Sequence, residues 1–298
     1  MKVRSLIAVL AMLAALFGRS ATAATPELVA TIAPLHSLAA FVMRGAGKPD
    51  LLLEAGASPH FYQLRPSEAR LLARADILLW VGPELENFLA RPLANLTSSA
   101  LILTATRLSG VRLLPLRDAE RHGGESAFYD PHLWLDPDNA AAIGDAVGEA
   151  LAKRDPDRAA LYRDNARELD ARLAELKREI AALLAPVRER PFLVLHDAFR
   201  YFARAFGLRA AGAVSLSPEQ PPGPRRVAEI LRIIRAEGVR CIFTEPQLRS
   251  PLLQRLVADT GLKTAVLDPL GVGLEPGPDL YFRLLRRNAE AVRSCLES

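Results

Sequence analysis

Four polar residues, His60, His132, His196 and Asp268, lie at positions in the sequence from which their side chains could form one functional site. His60 comes shortly after a short apolar run, while His196 and Asp268 directly follow apolar runs that are predicted to be β-strands. His132 lies in the compact motif Asp130–Asp136, DPHLWLD. In open α/β sheets, ligands bind beyond the carboxyl ends of the strands. We therefore expect these four side chains to converge in one cleft.

Three imidazoles and a carboxylate suit a bound divalent metal. Zinc accepts nitrogen and oxygen ligands in a tetrahedral arrangement, and a third histidine favours zinc over manganese, which prefers oxygen. Four protein ligands leave no fixed position for a reacting water, so such a site holds a metal without using it for catalysis. Each residue also has an ordinary explanation, because a single histidine often only makes hydrogen bonds and Asp-Pro pairs form turns. The gaps of 72, 64 and 72 residues between the four candidates match no short zinc motif.

The elements that must position these residues alternate between strand and helix in each half of the chain. The first half contains predicted strands and helices at Leu28–Ile32, Leu35–Met43, Leu51–Leu53, Pro66–Ala73, Ile77–Val81 and Leu101–Thr104. The second half contains them at Phe192–Leu195, Ala198–Phe206, Pro224–Glu237, Cys241–Thr244, Leu252–Thr260, Ala265–Leu267 and Asp279–Cys295. This alternation predicts an α/β fold with parallel sheets covered by helices.

The middle of the chain is helical instead. One helix is predicted from Asp136-Pro137 to about Lys153, and Asp155–Leu184 has leucines at helical spacing that predict a single amphipathic helix. Such a helix of about 30 residues would be about 45 Å long. Similar motifs recur in the two halves about 160 residues apart. We expect two similar lobes, residues 24–150 and 187–298, joined by a rigid linker helix over residues 151–186, with the metal in the cleft between the lobes.

The first 23 residues have the pattern of a cleavable secretory signal peptide. Lys2 and Arg4 precede the apolar run Leu6–Phe17, and Ala21–Ala23 supplies small residues for cleavage. Without Lys2, Arg4 and Arg19, the formal charge falls from +4 to +1. No basic cluster with interleaved aromatic residues is present, so nucleic acid is not an expected partner. We expect an exported, monomeric periplasmic protein, without a lipid anchor because no cysteine follows the leader.

The two cysteines are expected to form a disulfide. Cys241 and Cys295 are 54 residues apart in a protein expected to fold in an oxidising compartment. Closing this loop would stabilise the fold by about 4 kcal/mol in the chain-entropy model. Two buried free thiols are the alternative.

Several motifs resemble a known family of transport proteins. Gly56–Ser67 (GASPHFYQLRPS) and Ala75–Gly82 (ADILLWVG) closely resemble the periplasmic zinc-binding proteins of ABC uptake transporters, the ZnuA type within the cluster A-I metal-binding proteins. Further motifs resemble the family's other signatures in the same order, namely Asp130–Asp136, Leu195–Phe199, Thr244–Gln247 and Leu267–Gly271. The resemblance extends from about Leu28 to the C-terminus.

The resemblance implies roles for individual residues. It implies that His60, His132 and His196 bind one Zn²⁺, with Asp268 as fourth ligand or close neighbour, and that the protein delivers zinc to a membrane permease driven by a cytoplasmic ATPase. Glu245 and His36 are candidates for supporting positions near the metal. The family's loop rich in histidine and acidic residues is reduced here to His122 within Arg117–Tyr129, which is expected to be an exposed loop residue.

Alternative functions remain open from the sequence. A manganese- or iron-binding member of the same family would use a similar cleft. A zinc hydrolase would need a metal-bound water and a base such as Glu245 or Asp268. A surface adhesin is less consistent with the missing lipid-anchor cysteine. The binding protein, which is not an enzyme, is the principal expectation.

Overall fold

Two parallel four-stranded sheets with the same strand order form the frame of the molecule. The computed structural model describes residues 24–54, 56–96, 100–117, 129–216, 222–248 and 250–297. One sheet has the order β2-β1-β3-β4 and the other β6-β5-β7-β8. All strand pairs in both sheets are parallel, so the carboxyl ends of each sheet's strands lie at one edge.

In the part of the N-terminal lobe that the structure describes, there are four strands and three helices. Its strands are β1 (Leu28–Ala30), β2 (Asp50–Leu51), β3 (Ile77–Trp80) and β4 (Leu101–Thr104). Its helices are α1 (Ala33–Val42), α2 (Pro66–Arg74) and α3 (Asn87–Leu96). The central strands β1 and β3 are buried along their whole length, as expected of apolar strands covered on both faces.

The C-terminal lobe repeats this plan. Its strands are β5 (Phe192–His196), β6 (Ala210–Ser215), β7 (Cys241–Thr244) and β8 (Lys263–Val266). Its helices are α6 (Arg200–Phe206), α7 (Pro224–Glu237), α8 (Pro251–Thr260) and α9 (Leu280–Glu297). Glycines with positive φ, Gly207, Gly238 and Gly261, end α6, α7 and α8 in the left-handed conformation that a Cβ disfavours.

Two antiparallel helices join the lobes. They are α4 (Pro137–Arg154) and α5 (Ala159–Leu184), and a short 3₁₀ turn at Pro156–Arg158 lies between them. Asp136 caps α4 by accepting a hydrogen bond from the backbone N–H of Asp138. The buried face of α5 belongs to one continuous core that includes Leu28 of the first lobe and Phe192 of the second. The lobes therefore share their packing across the linker.

The predicted fold class is confirmed, and several element limits differ in detail. The long helix begins at Ala159 and not at Asp155, because Pro156–Arg158 forms a 3₁₀ turn. Helix α3 and strand β6 were not predicted. The proposed domain limits stay predictions, and α4 continues through the boundary expected at residue 150. The expected signal peptide and His122 lie outside the described residues.

The disulfide prediction is confirmed. Cys241 in β7 and Cys295 in α9 are bonded, with their Cα atoms 6.1 Å apart. This bond fastens the last helix to the centre of the second sheet. A search of the described helices for one with the length and apolar character needed to cross a membrane finds none.

Candidate metal centre

Three imidazole rings from distant parts of the chain meet at one point. Ligand nitrogens of His60, His132 and His196 all lie within 4.8 Å of one another. The Nε2 atoms of His60 and His132 are 3.4 Å apart. Ring centroids are separated by 5.5 Å for His60 and His132, 5.2 Å for His60 and His196, and 4.8 Å for His132 and His196. The rings are thus close enough to share one ion.

His196 is the last residue of β5, at the carboxyl edge of the second sheet. Its Nδ1 lies 3.2 Å from the carboxylate of Glu245, which directly follows the neighbouring strand β7. Both side chains are only 4% exposed. A carboxylate at Nδ1 fixes the ring orientation and leaves Nε2 to face a metal, as is usual for metal-binding histidines.

His132 is held in the same way by a nearer residue. Asp130 Oδ1 lies 2.8 Å from His132 Nδ1 and also accepts a hydrogen bond from the His132 backbone N–H at 3.0 Å. The chain then enters a 3₁₀ turn, Leu133–Leu135. In that turn the buried Trp134 donates from Nε1 to the carbonyl of Pro269, 2.8 Å away, so the turn also contacts the second lobe.

His60 comes from a loop between β2 and α2 and is more exposed than the other two imidazoles. The loop is anchored at its far end by Glu68, in the first turn of α2. Its carboxylate accepts hydrogen bonds from the Tyr62 hydroxyl at 2.5 Å and the Arg65 backbone N–H at 2.7 Å. These contacts fix the path of the chain two residues beyond His60.

The three rings differ electrostatically. Burial lowers the pKa of His60 to about 2, with the two neighbouring imidazoles acting in the same direction. Burial and His196 likewise hold the pKa of His132 well below its usual value. For His196, burial acts to lower the pKa, but the charge of Glu245 and the nearby Asp130 outweigh burial and raise the pKa. Near neutral pH, His60 and His132 are therefore neutral nitrogen donors.

Two buried carboxyl groups, those of Asp130 and Glu245, stand behind the rings. Asp130 is 2% exposed, and burial raises the pKa of its carboxyl to about 7. Oδ2 of Asp130 has no hydrogen-bond partner, and both oxygens of Glu245 lie 3.2 Å from His196 Nδ1. Burying a carboxylate without a compensating positive charge costs free energy. A divalent cation among the rings would supply that positive charge for both carboxylates.

The rings line a small cavity. Its other walls include Trp134, Glu245, Gln247, Pro269 and Leu270. The cavity is small, and its three imidazoles are close enough together to hold one ion.

Asp268 does not join the group of three histidines. It is 1% exposed, and both of its oxygens already accept hydrogen bonds. Their donors are the backbone N–H groups of Leu270, Gly271 and Val272 and the side chains of Gln247 and Arg287. Asp268 thereby shapes the loop whose Pro269 and Leu270 line the cavity.

His36 is also outside the group. It lies buried in α1, and its Nε2 is 3.2 Å from the carbonyl oxygen of Pro49. Burial lowers the pKa of His36, so this ring is a neutral part of the first lobe's packing.

Sequence reasoning gave no role to Asp130, Trp134 or Gln247, although all three lie within motifs that it singled out. Asp130 stands two residues before His132, a spacing that could have suggested a carboxylate behind the ligand. Gln247 has an unpartnered side-chain oxygen, while its amide nitrogen donates to Asp268 at 2.9 Å. Only the folded chain shows that this amide reaches the cavity wall.

The chain resembles known proteins in both sequence and structure. The family described as zinc-uptake complex component A, periplasmic (ZnuA), matches residues 28–295. The "High-affinity zinc uptake system protein ZnuA" of Brucella abortus (strain 2308) is 36% identical over 327 aligned residues, covering 98% of each chain.

Two solved structures show the same fold. A ZnuA with residues 138–173 deleted and zinc bound has a TM-score of 0.79 at 20% identity, covering 91% of this chain and 98% of that one. FpvC from Pseudomonas aeruginosa in complex with Mn²⁺ has a TM-score of 0.78 at 22% identity, covering 91% and 98%. Because the family matches nearly the whole chain, this protein belongs to the ZnuA family, whose members are periplasmic zinc-binding components of transporters and not enzymes.

Proposed function

We propose that this protein captures one Zn²⁺ in the periplasm with His60, His132 and His196 and delivers it to the membrane permease of an ABC transporter. The observation that carries this proposal is the convergence of three imidazole nitrogens within 4.8 Å, although the residues are far apart in the chain. The family membership supports the transport role. The small cavity supports an ion as the cargo.

The spacing of the rings suits a tetrahedral zinc ion. Zn–N bonds of about 2.0–2.1 Å in tetrahedral geometry place ligand nitrogens about 3.3 Å apart, and the Nε2 atoms of His60 and His132 are 3.4 Å apart. Three nitrogen donors favour zinc over manganese, which prefers oxygen ligands. Manganese remains the second candidate cargo, because FpvC, which shares this fold, was solved in complex with Mn²⁺.

The fourth ligand was left open by the sequence, which allowed either Asp268 or a water. The oxygens of Asp268 already accept hydrogen bonds from Arg287 and from the loop that follows Asp268, and Asp268 is not among the residues whose ligand atoms converge. We therefore propose that a water completes the zinc coordination; a hydrolase is then excluded by family membership and not by the number of protein ligands. The side-chain oxygen of Gln247, which accepts no hydrogen bond, supports this assignment, because Gln247 lines the cavity and this oxygen can accept a hydrogen bond from that water.

Delivery would not involve wide separation of the lobes. The lobes share one core through α5, and Trp134 and Tyr281 add buried hydrogen bonds between distant segments. Opening the cleft widely would expose this core to water. Release would instead follow a small displacement of one ligand segment when the protein docks on its permease.

Zinc titration of purified protein tests the proposal. The wild type should bind one equivalent, and His60→Ala or His196→Ala should each weaken binding by more than about 100-fold, above the usual cost of losing a group that only supports a ligand. His36→Ala is the matched control, since it removes a buried imidazole outside the site. Unchanged binding in either ligand variant would reject the site. Restored growth on scarce zinc in a bacterium lacking its own binding protein would test delivery.

A further inference from the structure

Residues 114–117 and 129–130, which precede His132 in the chain, make hydrogen bonds with residues 197–201, which follow His196. Residues 114–117 pair with residues 129–130 through an antiparallel bridge between Pro115 and Tyr129 and a hydrogen bond from Asp130 N to Leu114 O at 2.8 Å. This pair of segments lies against residues 197–201, at the start of α6. We call the contacts between them the clasp.

An ion pair closes the clasp beside the metal centre. Arg117 donates to Asp197 twice, from Nε to Oδ2 at 2.9 Å and from Nη2 to Oδ1 at 2.8 Å. The side chains are 17% and 7% exposed. Two parallel hydrogen bonds in a mostly buried position fix distance and direction together. Because Asp197 follows His196 directly, this pair restrains the backbone that carries a ligand.

Hydrogen bonds from α6 complete the clasp on the His132 side. The Tyr201 hydroxyl accepts from Leu114 N at 2.8 Å and donates to Asp130 O at 3.0 Å. Arg200 donates to the carbonyl of Pro115. Asp130 in turn holds His132 through its Nδ1. A continuous chain of contacts therefore runs from Asp197, beside one ligand, to Asp130, behind another.

We propose that Arg117 is a positioning residue that sets how slowly zinc leaves the site. By tying Asp197 to the segments that lead to His132, it keeps two buried imidazoles at the separation that one ion requires. Loss of the ion pair lets the start of α6 move away, so the metal dissociates faster. The rate of zinc entry changes little, since Arg117 does not line the cavity. This inference rests on the proposed zinc site.

The test measures zinc dissociation by rapid mixing with excess EDTA, followed by the fluorescence of Trp134, whose ring lies 5.4 Å from that of His132. Arg117→Gln should raise the dissociation rate at least tenfold. Arg163→Gln is the matched control, because Arg163 makes the same paired contact with Glu149 on an exposed surface. It should leave the rate unchanged.

Further variants separate positioning from general destabilisation. Asp197→Asn should match Arg117→Gln, and the double variant should be no faster than either single one, because both changes break one contact. Tyr201→Phe breaks the clasp without removing a charge and should also speed dissociation, which keeps the test valid if Arg117→Gln does not fold. Arg117→Lys should recover part of the slow release. The cobalt-loaded variants should also show altered visible spectra.

The outcomes are distinguishable. Dissociation within twofold of wild type in both Arg117→Gln and Tyr201→Phe would overturn the role of the clasp while leaving the zinc site intact. A wild-type protein that binds no zinc would instead remove the proposed function itself. The melting temperature of each metal-free variant is measured as well. If zinc release is faster wherever the melting temperature is lower, including in Arg163→Gln, the effect is general destabilisation and the positioning role is rejected.

Discussion

The two lobes share a strand order but hold their metal ligands differently. The second lobe presents His196 from within a strand, backed by Glu245 at the end of the next strand. The first lobe presents His60 from a loop, and burial lowers the pKa of this ring whereas the pKa of His196 is raised. The same fold thus supplies one ligand that is neutral near neutral pH and one that must lose a bound proton before it can bind metal.

The lobes also differ in how they are stapled. The disulfide between Cys241 and Cys295 lies wholly in the second lobe, and the chain contains no other cysteine. His196, the ligand that is part of a strand, therefore belongs to the same sheet that the disulfide links to α9. Three experiments test how this difference between the lobes affects stability and zinc binding. They are given from the largest expected effect to the smallest.

Replacing both cysteines by alanine should have the largest effect. For a separation of 54 residues, the chain-entropy model gives a loss of about 4 kcal/mol in the free energy of unfolding. Urea unfolding of the metal-free protein measures this loss, with zinc affinity as the control, which should stay within about threefold because neither cysteine lines the cavity. A loss below about 1 kcal/mol would mean that the bond adds little to the second lobe.

Removing the carboxylate behind each buried imidazole should have a smaller effect. Glu245→Gln and Asp130→Asn should each weaken zinc binding about 10–100-fold, because a neutral amide orients the ring and raises its basicity less than a carboxylate does. Competition with a chelator measures both affinities. Glu149→Gln, which changes an exposed carboxylate paired with Arg163, serves as control. Wild-type affinity in Glu245→Gln would show that His196 needs no such support.

The pH dependence of zinc affinity should show the smallest change. Protonated His196 cannot bind metal, and its pKa is raised, so affinity should fall about tenfold per unit as pH decreases below that pKa and level off above it. Asp130 can add at most a second proton. His60 and His132 add none near neutral pH, because their pKa values are lowered.

Isothermal titration between pH 5.5 and 8 checks this prediction. A slope of three protons would contradict it, because all three rings would then titrate. Glu245→Gln should move the fall in affinity to lower pH, since the negative charge that raises the pKa of His196 is gone.

Much of the fold followed from short apolar runs bounded by glycine and proline. For β4, α7 and β7, the first and last residues predicted from the sequence are the same as those in the structure. Helix α3 was missed because it contains Pro92, which normally interrupts a helix. Strand β6 was missed because its sequence, AAGAVS, has few residues typical of strands.

The candidate site was less accessible to sequence reasoning. Histidines at strand ends indicated a shared cleft, but gaps of more than 60 residues give no distances. Asp268 was expected as the fourth ligand or a close neighbour of the metal, and the sequence could not show that five donors already hydrogen-bond to its oxygens. The pairing of His196 with Glu245, 49 residues away, depends on the neighbouring positions of β5 and β7.

The narrowness of the cavity has a consequence for discrimination against abundant ions. The small cavity places an ion against three imidazoles and the side chains of Trp134, Pro269 and Leu270, which leave little room for a hydration shell. A metal ion that binds here must therefore give up most of its hydration water and take imidazole nitrogens as ligands. Magnesium gives up water reluctantly and prefers oxygen, so it would be turned away by the cost of dehydration alone, without any residue devoted to rejecting it.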